Sequence, residues 1–326
     1  MSDLDGKLAF LRTLDHAETV ETHMSWVVLT ATRAYKLKKP VRLPYVDYST
    51  VERRHRSCEN ELALGRRLAA SVYLEVTPLV ATPHGLALDG QGDVVDWLVV
   101  MRRLPAELML PQMLARGEAR PADADAVADL LADFYRDTRR ASWSAAEYRH
   151  YLRTTLVAVG GELVARGASR SIVTALVQAE LAALESEAPV FAARIEGGHV
   201  VDAHGDLRPE HVCLETPPVV IDPLEFDDDL RTLDAASELA FFALECVRIG
   251  ASWFGECVIA RYAARSGDHV PEPLAVFYRA LHALTRALLA LRHLDDVPPA
   301  DRPRWRAKAE DYVGRALAGR PYQPAA

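Results

Sequence analysis

The chain has 326 residues, of which 50% are hydrophobic and 26% are charged, and its formal net charge is −8. This length is typical of two lobes or domains, and this composition excludes a disordered chain. The acidic balance argues against a general nucleic-acid binder, which needs a concentrated basic surface to displace counterions.

The cysteines and the apolar runs indicate the compartment. The four cysteines contain no CxxC pair and stand in apolar or helical surroundings: Cys58, Cys213, Cys246 and Cys257. This pattern is typical of buried, reduced thiols. The N-terminus lacks a basic segment followed by an apolar core, and the longest apolar run, near Leu239–Leu244, is too short to cross a bilayer. We therefore expect a cytoplasmic protein whose partners include neither a membrane nor a nucleic acid.

The first hundred residues have the pattern of a small β-rich lobe. The runs 23–30 and 34–41 are strand-like, and the short polar sequence ATR between them predicts a hairpin. A helix follows, capped by Ser49 or Thr50, in which Leu62, Leu64 and Leu68 recur. The sequences VYLEVTPLV and VVDWLVVMRRL, separated by glycine and proline, predict at least two more strands.

The sequence becomes alanine-rich and helical after about residue 105. Helices are predicted near residues 122–140, 144–166, 170–187, 234–248, 252–265, 271–294 and 303–318. Only residues 199–226 interrupt this pattern, with short apolar runs joined by turns, and no internal repeat is present. The predicted fold class is therefore α+β, with a β-rich lobe over residues 1–103 and a larger helical lobe over residues 104–326.

The interruption carries a group of polar residues, in the sequence HGDLRPEHVCLETPPVVIDPLEF (204–226). Asp206 lies in its first turn, and Asp222 ends its second apolar run. Two strands joined by a tight turn would bring Asp206, His211 and Asp222 around one point. A proton acceptor beside metal ligands is what phosphoryl transfer needs, because such enzymes mainly position groups and neutralise charge.

The β-rich lobe supplies a cation for the phosphates. Because side chains alternate along a strand, Lys36 and Lys38 face the same side and Lys39 the other. The following helix offers Glu59 and Glu61 as partners. A strand lysine paired with a helix glutamate is the arrangement of the kinase strand-three lysine. A lysine-rich strand at a solvated sheet edge is the alternative interpretation.

Together these segments resemble the aminoglycoside phosphotransferase and choline-kinase-like family, which has a protein-kinase-like, two-lobe fold. HGDLRPEH resembles the family's catalytic loop, VVIDPLEF the strand that ends in its metal-binding aspartate, and LDAASELAFFAL the helix after it. The opening VETHMSWVVLTATRAYKLKKPV resembles a bacterial subgroup in which such a domain often precedes a P-loop ATPase, although no GxxxxGK[ST] occurs here. The resemblance extends from about residue 20 to the 260s.

The resemblance implies an ATP-dependent kinase that phosphorylates a hydroxyl of a small molecule, with ATP and Mg²⁺ as cofactors. Asp206 would be the catalytic base or the acid that orients the acceptor hydroxyl, and Asp222 would bind the metal. Lys36 would contact the α- and β-phosphates and pair with Glu61, with Lys38 as a substitute for Lys36. The backbone near Val100–Arg103 would bind adenine, with Met101 packed beside it.

Two departures from the family pattern keep other functions open. His211 stands where the family usually has a metal-binding asparagine, and imidazole suits Mn²⁺ or Zn²⁺ better than Mg²⁺. The turn TATRA has no glycine, so the clamp over the phosphates would be looser or would use side chains such as Thr30, Thr32 or Arg33. These departures favour, as an alternative, a non-catalytic, pseudokinase-like module that binds a nucleotide or a partner. A third hypothesis is a metal-dependent hydrolase built on His204, Asp206, His211 and Asp222.

Three further residues or segments receive predictions. We expect His204 to hold the turn by hydrogen bonds to the backbone rather than to take part in catalysis. Glu238 stands where the family usually has an aspartate that braces the catalytic loop. The acidic run Glu225–Arg231 could form a wall for a cationic acceptor, or a solvated loop whose acids begin the next helix.

Overall fold

A computed structural model describes residues 4–15, 17–43 and 46–318 of the chain. The chain forms two compact units. The first consists of Met1–Leu130 and His204–Arg231, and the second of Leu131–Ala203 and Thr232–Ala326. The predicted lobe boundary between residues 103 and 104 stays a prediction.

The first unit is built on a six-stranded antiparallel sheet. Its strands are β1 (Glu18–Glu21), β2 (Ser25–Leu29), β3 (Arg33–Lys38), β6 (Tyr73–Thr82), β7 (Gly85–Leu88) and β8 (Asp93–Arg102), in the order β1-β2-β3-β8-β6-β7. The short hairpin β4 (Arg42–Leu43) and β5 (Val46–Asp47) follows β3. The predicted β2–β3 hairpin and the later strands are confirmed, whereas β1 and the β4–β5 hairpin were not predicted.

Among the described residues before Pro121, the first unit has three α-helices: α1 (Leu4–Leu11), α2 (Val51–Ala69) and α3 (Leu110–Ala115). Helix α2 is the predicted one, and its first turn is capped by Thr50, whose side chain accepts a hydrogen bond from the Arg53 amide at 3.3 Å. Its buried residues include Cys58, Glu61 and Leu68, so the helix presents one face to the sheet. Helices α1 and α3 were not predicted.

The segment 204–231 also belongs to the first unit. A 3₁₀ turn at Pro209–His211 leads into the hairpin β10 (Val212–Cys213) and β11 (Val219–Val220), and helix α8 (Asp228–Arg231) follows. The Ile221 amide donates to the His211 carbonyl at 2.9 Å, which brings the residue before Asp222 beside His211. The hairpin therefore produces the predicted convergence of these two residues.

The second unit is mainly helical. After α4 (Pro121–Asp137), which spans the boundary of the units, it contains α5 (Ala145–Ala165), α6 (Arg170–Ser186), α7 (Ala188–Glu196), α9 (Ala235–Arg248), α10 (Ser252–Ser266), α11 (Glu272–Arg292) and α12 (Arg302–Ala318). All seven predicted helices are confirmed to within a few residues, and α7 was missed. A two-stranded ladder joins β9 (Val200–Asp202) to β12 (Thr232–Asp234).

Helix α11 is the central helix of this unit. The stretch Glu272–Asp295 is long and apolar enough, by length and composition, to cross a membrane, and 61% of its most apolar part is buried inside the protein. The sequence-based expectation concerned uninterrupted apolar runs, which Arg279 and Arg286 keep short in this helix. Because α11 packs against α5, α9 and α12, its apolar surface is that of a core helix.

Candidate active site

Lys36 and Lys38 lie on the same face of β3 and share one partner. Lys36 Nζ is 2.7 Å from Glu61 Oε1, and Lys38 Nζ is 2.6 Å from Glu61 Oε2. Glu61 comes from the buried face of α2 and is fully buried. Glu59 is exposed and pairs with His55 at 3.5 Å, so of the two glutamates Glu61 reaches the lysines. The lysines therefore belong to a buried ion-pair network and not to a solvated sheet edge.

Each lysine has a second acid. Lys36 Nζ lies 2.5 Å from Asp222 Oδ1, and Lys38 Nζ binds Glu225. The Glu225 carboxylate also accepts hydrogen bonds from Tyr48 Oη at 2.7 Å and Ser57 Oγ at 3.3 Å. Sequence reasoning missed this role of Glu225. The two strand lysines thus have different surroundings, because Lys38 is fully buried whereas the side chain of Asp222, beside Lys36, is 41% exposed.

Electrostatics keep this network charged. Burial works against the charged form of Asp222 and Glu225, but Lys36 at Asp222 and Lys38 at Glu225 hold the pKa of each carboxyl below its usual range. Burial likewise opposes charge on both lysines, yet their carboxylate neighbours raise the pKa of Lys36 and of Lys38. These four groups are therefore ionised at neutral pH.

Asp222 is held by its backbone as well as by its side chain. Its φ of 64° lies in the left-handed region, which aspartate tolerates better than most residues. Its amide donates to Tyr73 Oη at 2.9 Å, and its second carboxylate oxygen is 3.6 Å from His211 Nε2. The hairpin end is therefore fixed with its carboxylate toward Lys36 and His211.

His204 has the structural role that was predicted. Its Nε2 donates to the Ile221 carbonyl at 2.9 Å, and its Nδ1 accepts from the Asp206 amide at 3.3 Å. Burial lowers the pKa of His204 to about 4, in agreement with a neutral ring. Because both ring nitrogens are engaged with backbone groups, this residue does not support the hydrolase hypothesis.

Asp206 and His211 are joined by Arg208. The Asp206 carboxylate accepts from Arg208 Nε at 3.0 Å, and Arg208 Nη2 lies 3.0 Å from His211 Nε2. Arg208 Nη1 also donates to Glu210 at 2.6 Å. The candidate base and the candidate metal ligand therefore share one cation in this structure.

The donor set fits a magnesium ion held mainly by the nucleotide. Among the residues that the structure describes, no group of three or more His, Cys, Asp or Glu side chains is arranged to hold a metal. Mg²⁺ commonly takes one or two carboxylates together with waters and substrate phosphates, and the partly exposed Asp222 can supply one carboxylate. His211 would be a ligand only if its Nε2 were released by Arg208.

Two backbone amides of the expected adenine-binding stretch form hydrogen bonds within the protein. Met101 is buried in a core cluster with Ala34 and Val219. The Arg102 amide donates to the Val72 carbonyl at 2.9 Å, and the Arg103 amide donates to the Thr32 carbonyl at 2.9 Å. These two amides are therefore used by the protein itself, and adenine binding by the backbone near Val100–Arg103, with Met101 beside it, stays a prediction.

The turn between β2 and β3 is stabilised by its own threonine. The Arg33 amide donates to Thr30 Oγ1 at 3.1 Å, and the Thr30 hydroxyl lies 3.2 Å from the Arg33 carbonyl. The hydroxyl of Thr30 is thus committed to the turn. Thr32 and Arg33 are exposed and stay candidates for phosphate contact.

The acidic run and Glu238 have distinct surroundings. Glu225 is buried beside Lys38, whereas Asp227 accepts from the amides of Asp229 and Leu230 at the start of α8. This supports the interpretation that acids of the run begin the next helix.

In the second unit, Glu238 is fully buried on α9 and accepts a hydrogen bond from Tyr135 Oη at 2.8 Å.

A cavity of about 700 Å³ adjoins the ion-pair network. It is lined by the β4–β5 hairpin, the first turns of α2 and the chain after Asp222, including Tyr48, Ser57 and Glu225. This size lies in the range of small-molecule sites. Among the described residues, its lining does not include Lys36, Asp206 or Asp222, so it is separate from the predicted phosphate site.

Comparisons with known proteins agree with this geometry. The model of the phosphotransferase enzyme family matches residues 20–275. Uncharacterised proteins of Mycobacterium tuberculosis and Mycobacterium bovis are 34% identical over 284 residues, which is 82% of this chain and 53% of theirs. The chain thus spans about half the length of these curated relatives.

Solved structures show the same fold. The GDP complex of aminoglycoside 2'-phosphotransferase-IIIa is 13% identical, covers 96% of this chain and 97% of its own, and has a TM-score of 0.55. A choline/ethanolamine kinase family protein from Mesorhizobium loti is 15% identical, with 97% and 98% covered and a TM-score of 0.52. These likenesses confirm the predicted α+β, protein-kinase-like fold.

Proposed function

Because the chain belongs to the phosphotransferase enzyme family, we propose that it is an ATP-dependent kinase that transfers the γ-phosphate of ATP to a hydroxyl of a small molecule. We place this activity in the cytoplasm. The observation that carries the proposal is the buried pair of Lys36 and Glu61 directly beside Asp222, at the end of the hairpin that follows Asp206. The first unit supplies all of these residues.

The residues would divide the work as follows. Lys36, oriented by Glu61, would bind the nucleotide phosphates, and Asp222 would hold Mg²⁺. When bound, Mg²⁺ neutralises charge on the phosphates. Asp206 would accept the proton of the acceptor hydroxyl as its oxygen forms a bond to the γ-phosphorus, the bond to the β-phosphate oxygen breaks, and ADP leaves. Lys38 would not touch the nucleotide, because it is fully buried between Glu61 and Glu225.

Calorimetric titration of ATP and of GTP, with Mg²⁺, with Mn²⁺ and without metal, tests the nucleotide site. We expect metal-dependent ATP binding that Lys36→Ala weakens by at least about 10-fold, since a charge-assisted contact contributes roughly 1.5–3 kcal/mol. Lys39→Ala is the matched control, because Lys39 lies next to the same strand but pairs with Glu21 at the exposed side. Equal binding by wild type and Lys36→Ala would contradict the assigned role.

Asp206→Asn tests the catalytic step. Once a hydroxyl acceptor is found by screening, this variant should bind ATP like wild type and transfer phosphate about 10²–10⁴-fold more slowly, because it lacks the proton acceptor. Unchanged turnover would refute the role of Asp206.

A nucleotide-binding module without transfer is the second candidate function. It is favoured by the engagement of Asp206 with Arg208 and by His211 at the family's asparagine position. ATP binding with no transfer to any acceptor, including water, would support it.

A further inference from the structure

Arg208 holds the side chains of the catalytic loop together. Its guanidinium contacts Asp206 Oδ2 through Nε at 3.0 Å and Nη2 at 2.9 Å, Glu210 through Nη1 at 2.6 Å, and His211 through Nη2 at 3.0 Å. The side chain is only 20% exposed, so these contacts are partly shielded from water. One cation thus engages every acidic or imidazole side chain between residues 206 and 211.

Hydrogen-bond chemistry fixes the protonation of His211. Its Nδ1 lies 2.9 Å from the Asp206 carbonyl oxygen, which can only accept, so Nδ1 carries the proton. A guanidinium can only donate, so His211 Nε2 accepts from Arg208. The ring is therefore neutral, and the lone pair that could bind a metal is directed at Arg208.

The same nitrogen faces the candidate metal carboxylate. His211 Nε2 is 3.6 Å from Asp222 Oδ2, a separation at which one ion could contact both atoms after a small adjustment. A divalent cation at this position would compete with Arg208 for the lone pair and would be repelled by the guanidinium charge. Release of Arg208 would make both the imidazole and the Asp206 carboxylate available.

We propose that Arg208 is a latch that occupies His211 Nε2 and Asp206 in the nucleotide-free protein and must leave His211 before a divalent ion can bind between His211 and Asp222. Arg208 is then a positioning residue, and it sets which metal is used, because imidazole favours Mn²⁺ over Mg²⁺ once released. The latch rests on the proposed function for the location of the metal site, but it does not require that the protein transfers phosphate.

Mn²⁺ titration followed by the electron paramagnetic resonance signal of the unbound ion tests the latch in the full chain without nucleotide. We expect Arg208→Met to tighten the Kd for Mn²⁺ by at least about 10-fold. This is the lower end of the change seen when a partner of a metal-binding residue is replaced, and the sign is a gain here because Arg208 occupies the ligand atom. Arg208→Lys, which keeps the charge, should give a smaller gain. The gain should be lost in Arg208→Met/His211→Leu, which has no ligand atom at this position, and should be weaker for competing Mg²⁺.

Three results of these titrations would overturn the latch. One is no tightening in a folded Arg208→Met protein, checked by circular dichroism. The second is a gain that survives His211→Leu, and the third is a gain that is equal for Mg²⁺; either of these would reflect only the removed charge. Should Arg208→Met not fold, a crystal structure of the wild-type chain with Mn²⁺ and a non-hydrolysable ATP analogue decides the question. The latch predicts that Arg208 has left His211, and an intact contact with Mn²⁺ bound at Asp222 would refute it.

The two proposals fail separately. Absence of ATP binding, with the Mn²⁺ gain intact, would remove the proposed kinase function and leave the latch. Normal phosphate transfer, with no tightening of the Kd for Mn²⁺ in Arg208→Met, would remove the latch and leave the proposed kinase function.

Discussion

Lys36 and Lys38 are the same residue type on the same strand, yet substitution of Lys38 should cost more stability and substitution of Lys36 should cost more nucleotide affinity. Lys38→Met leaves the buried carboxylates of Glu61 and Glu225 with one cation fewer, and breaking such a buried pair costs about 3–5 kcal/mol in the free energy of unfolding. Lys36→Met should cost roughly 1–3 kcal/mol, because Glu61 keeps Lys38 and Asp222 is partly open to water. Nucleotide affinity should show the reverse order.

Urea denaturation of the two variants and the wild type measures the difference. With a slope of about 2–3 kcal/mol per molar urea, Lys38→Met should lower the midpoint by about 1–2 M. Glu225→Met and the double variant Lys38→Met/Glu225→Met complete a double-mutant cycle. The double variant should be more stable than the sum of the single losses predicts, because it removes both buried charges. A Lys38→Met protein as stable as Lys36→Met, or an additive cycle, would refute this reasoning.

Three further predictions concern other parts of the chain. Gly65→Ala would place a Cβ 2.4 Å from the ring of Tyr73 and should lower the free energy of unfolding by about 1–3 kcal/mol, measured with urea or heat. Gly161→Ala is the control: its Cβ would have nothing within 4 Å, so it should stabilise the protein by about 0.5–1 kcal/mol. Equal effects of the two substitutions would contradict the close approach of Gly65 to Tyr73. Hydrogen bonds from Arg292 and Arg166 lower the pKa of Glu162 to about 2. Glu162→Gln should therefore lower the free energy of unfolding by about 1 kcal/mol at pH 7, and this difference from wild type should fade as the pH falls from 4.5 toward 2. A difference that does not change with pH would contradict this prediction. A thiol reagent at pH 8 should modify Cys257 first, because the other three cysteines are buried and burial raises the pKa of Cys58 to about 12. Mass spectrometry of the peptides measures the order of modification, and earlier modification of another cysteine would contradict the prediction.

Local patterns explain what could be predicted. The strand alternation at Lys36 and Lys38 and the helical spacing around Glu61 are set within a few residues, and both periods appear in the structure. The seven predicted helices of the C-terminal part follow from the same kind of signal. Helix α7 was missed because it begins two residues after α6 ends, with Pro189 in its first turn, so the sequence suggests an end rather than a new start.

Non-local contacts explain what could not be predicted. The run at Val200–Asp202 pairs with Thr232–Asp234 instead of the strand next to it in sequence, and no local signal specifies that partner. The amides of Arg102 and Arg103 are likewise taken by carbonyls of Val72 and Thr32, which are distant in sequence. The buried setting of three cysteines was expected, but Cys257 is only half-buried, because helical periodicity alone does not give depth.

The pairing of Glu225 with Lys38 is difficult to predict from the sequence. It lies in an acidic run, where solvated carboxylates are the ordinary expectation. However, Lys36 and Lys38 face the same side of a buried strand, and a single glutamate would leave that pair with net positive charge in the protein interior. Because buried charges are retained when they are paired, a second lysine on that face demands a second acid. Asp222 and Glu225 both follow the hairpin and either could meet this demand, so charge balance predicts a further acid without deciding between them. The contact of Glu225 with the fully buried Lys38, and of Asp222 with Lys36, is known only from the structure.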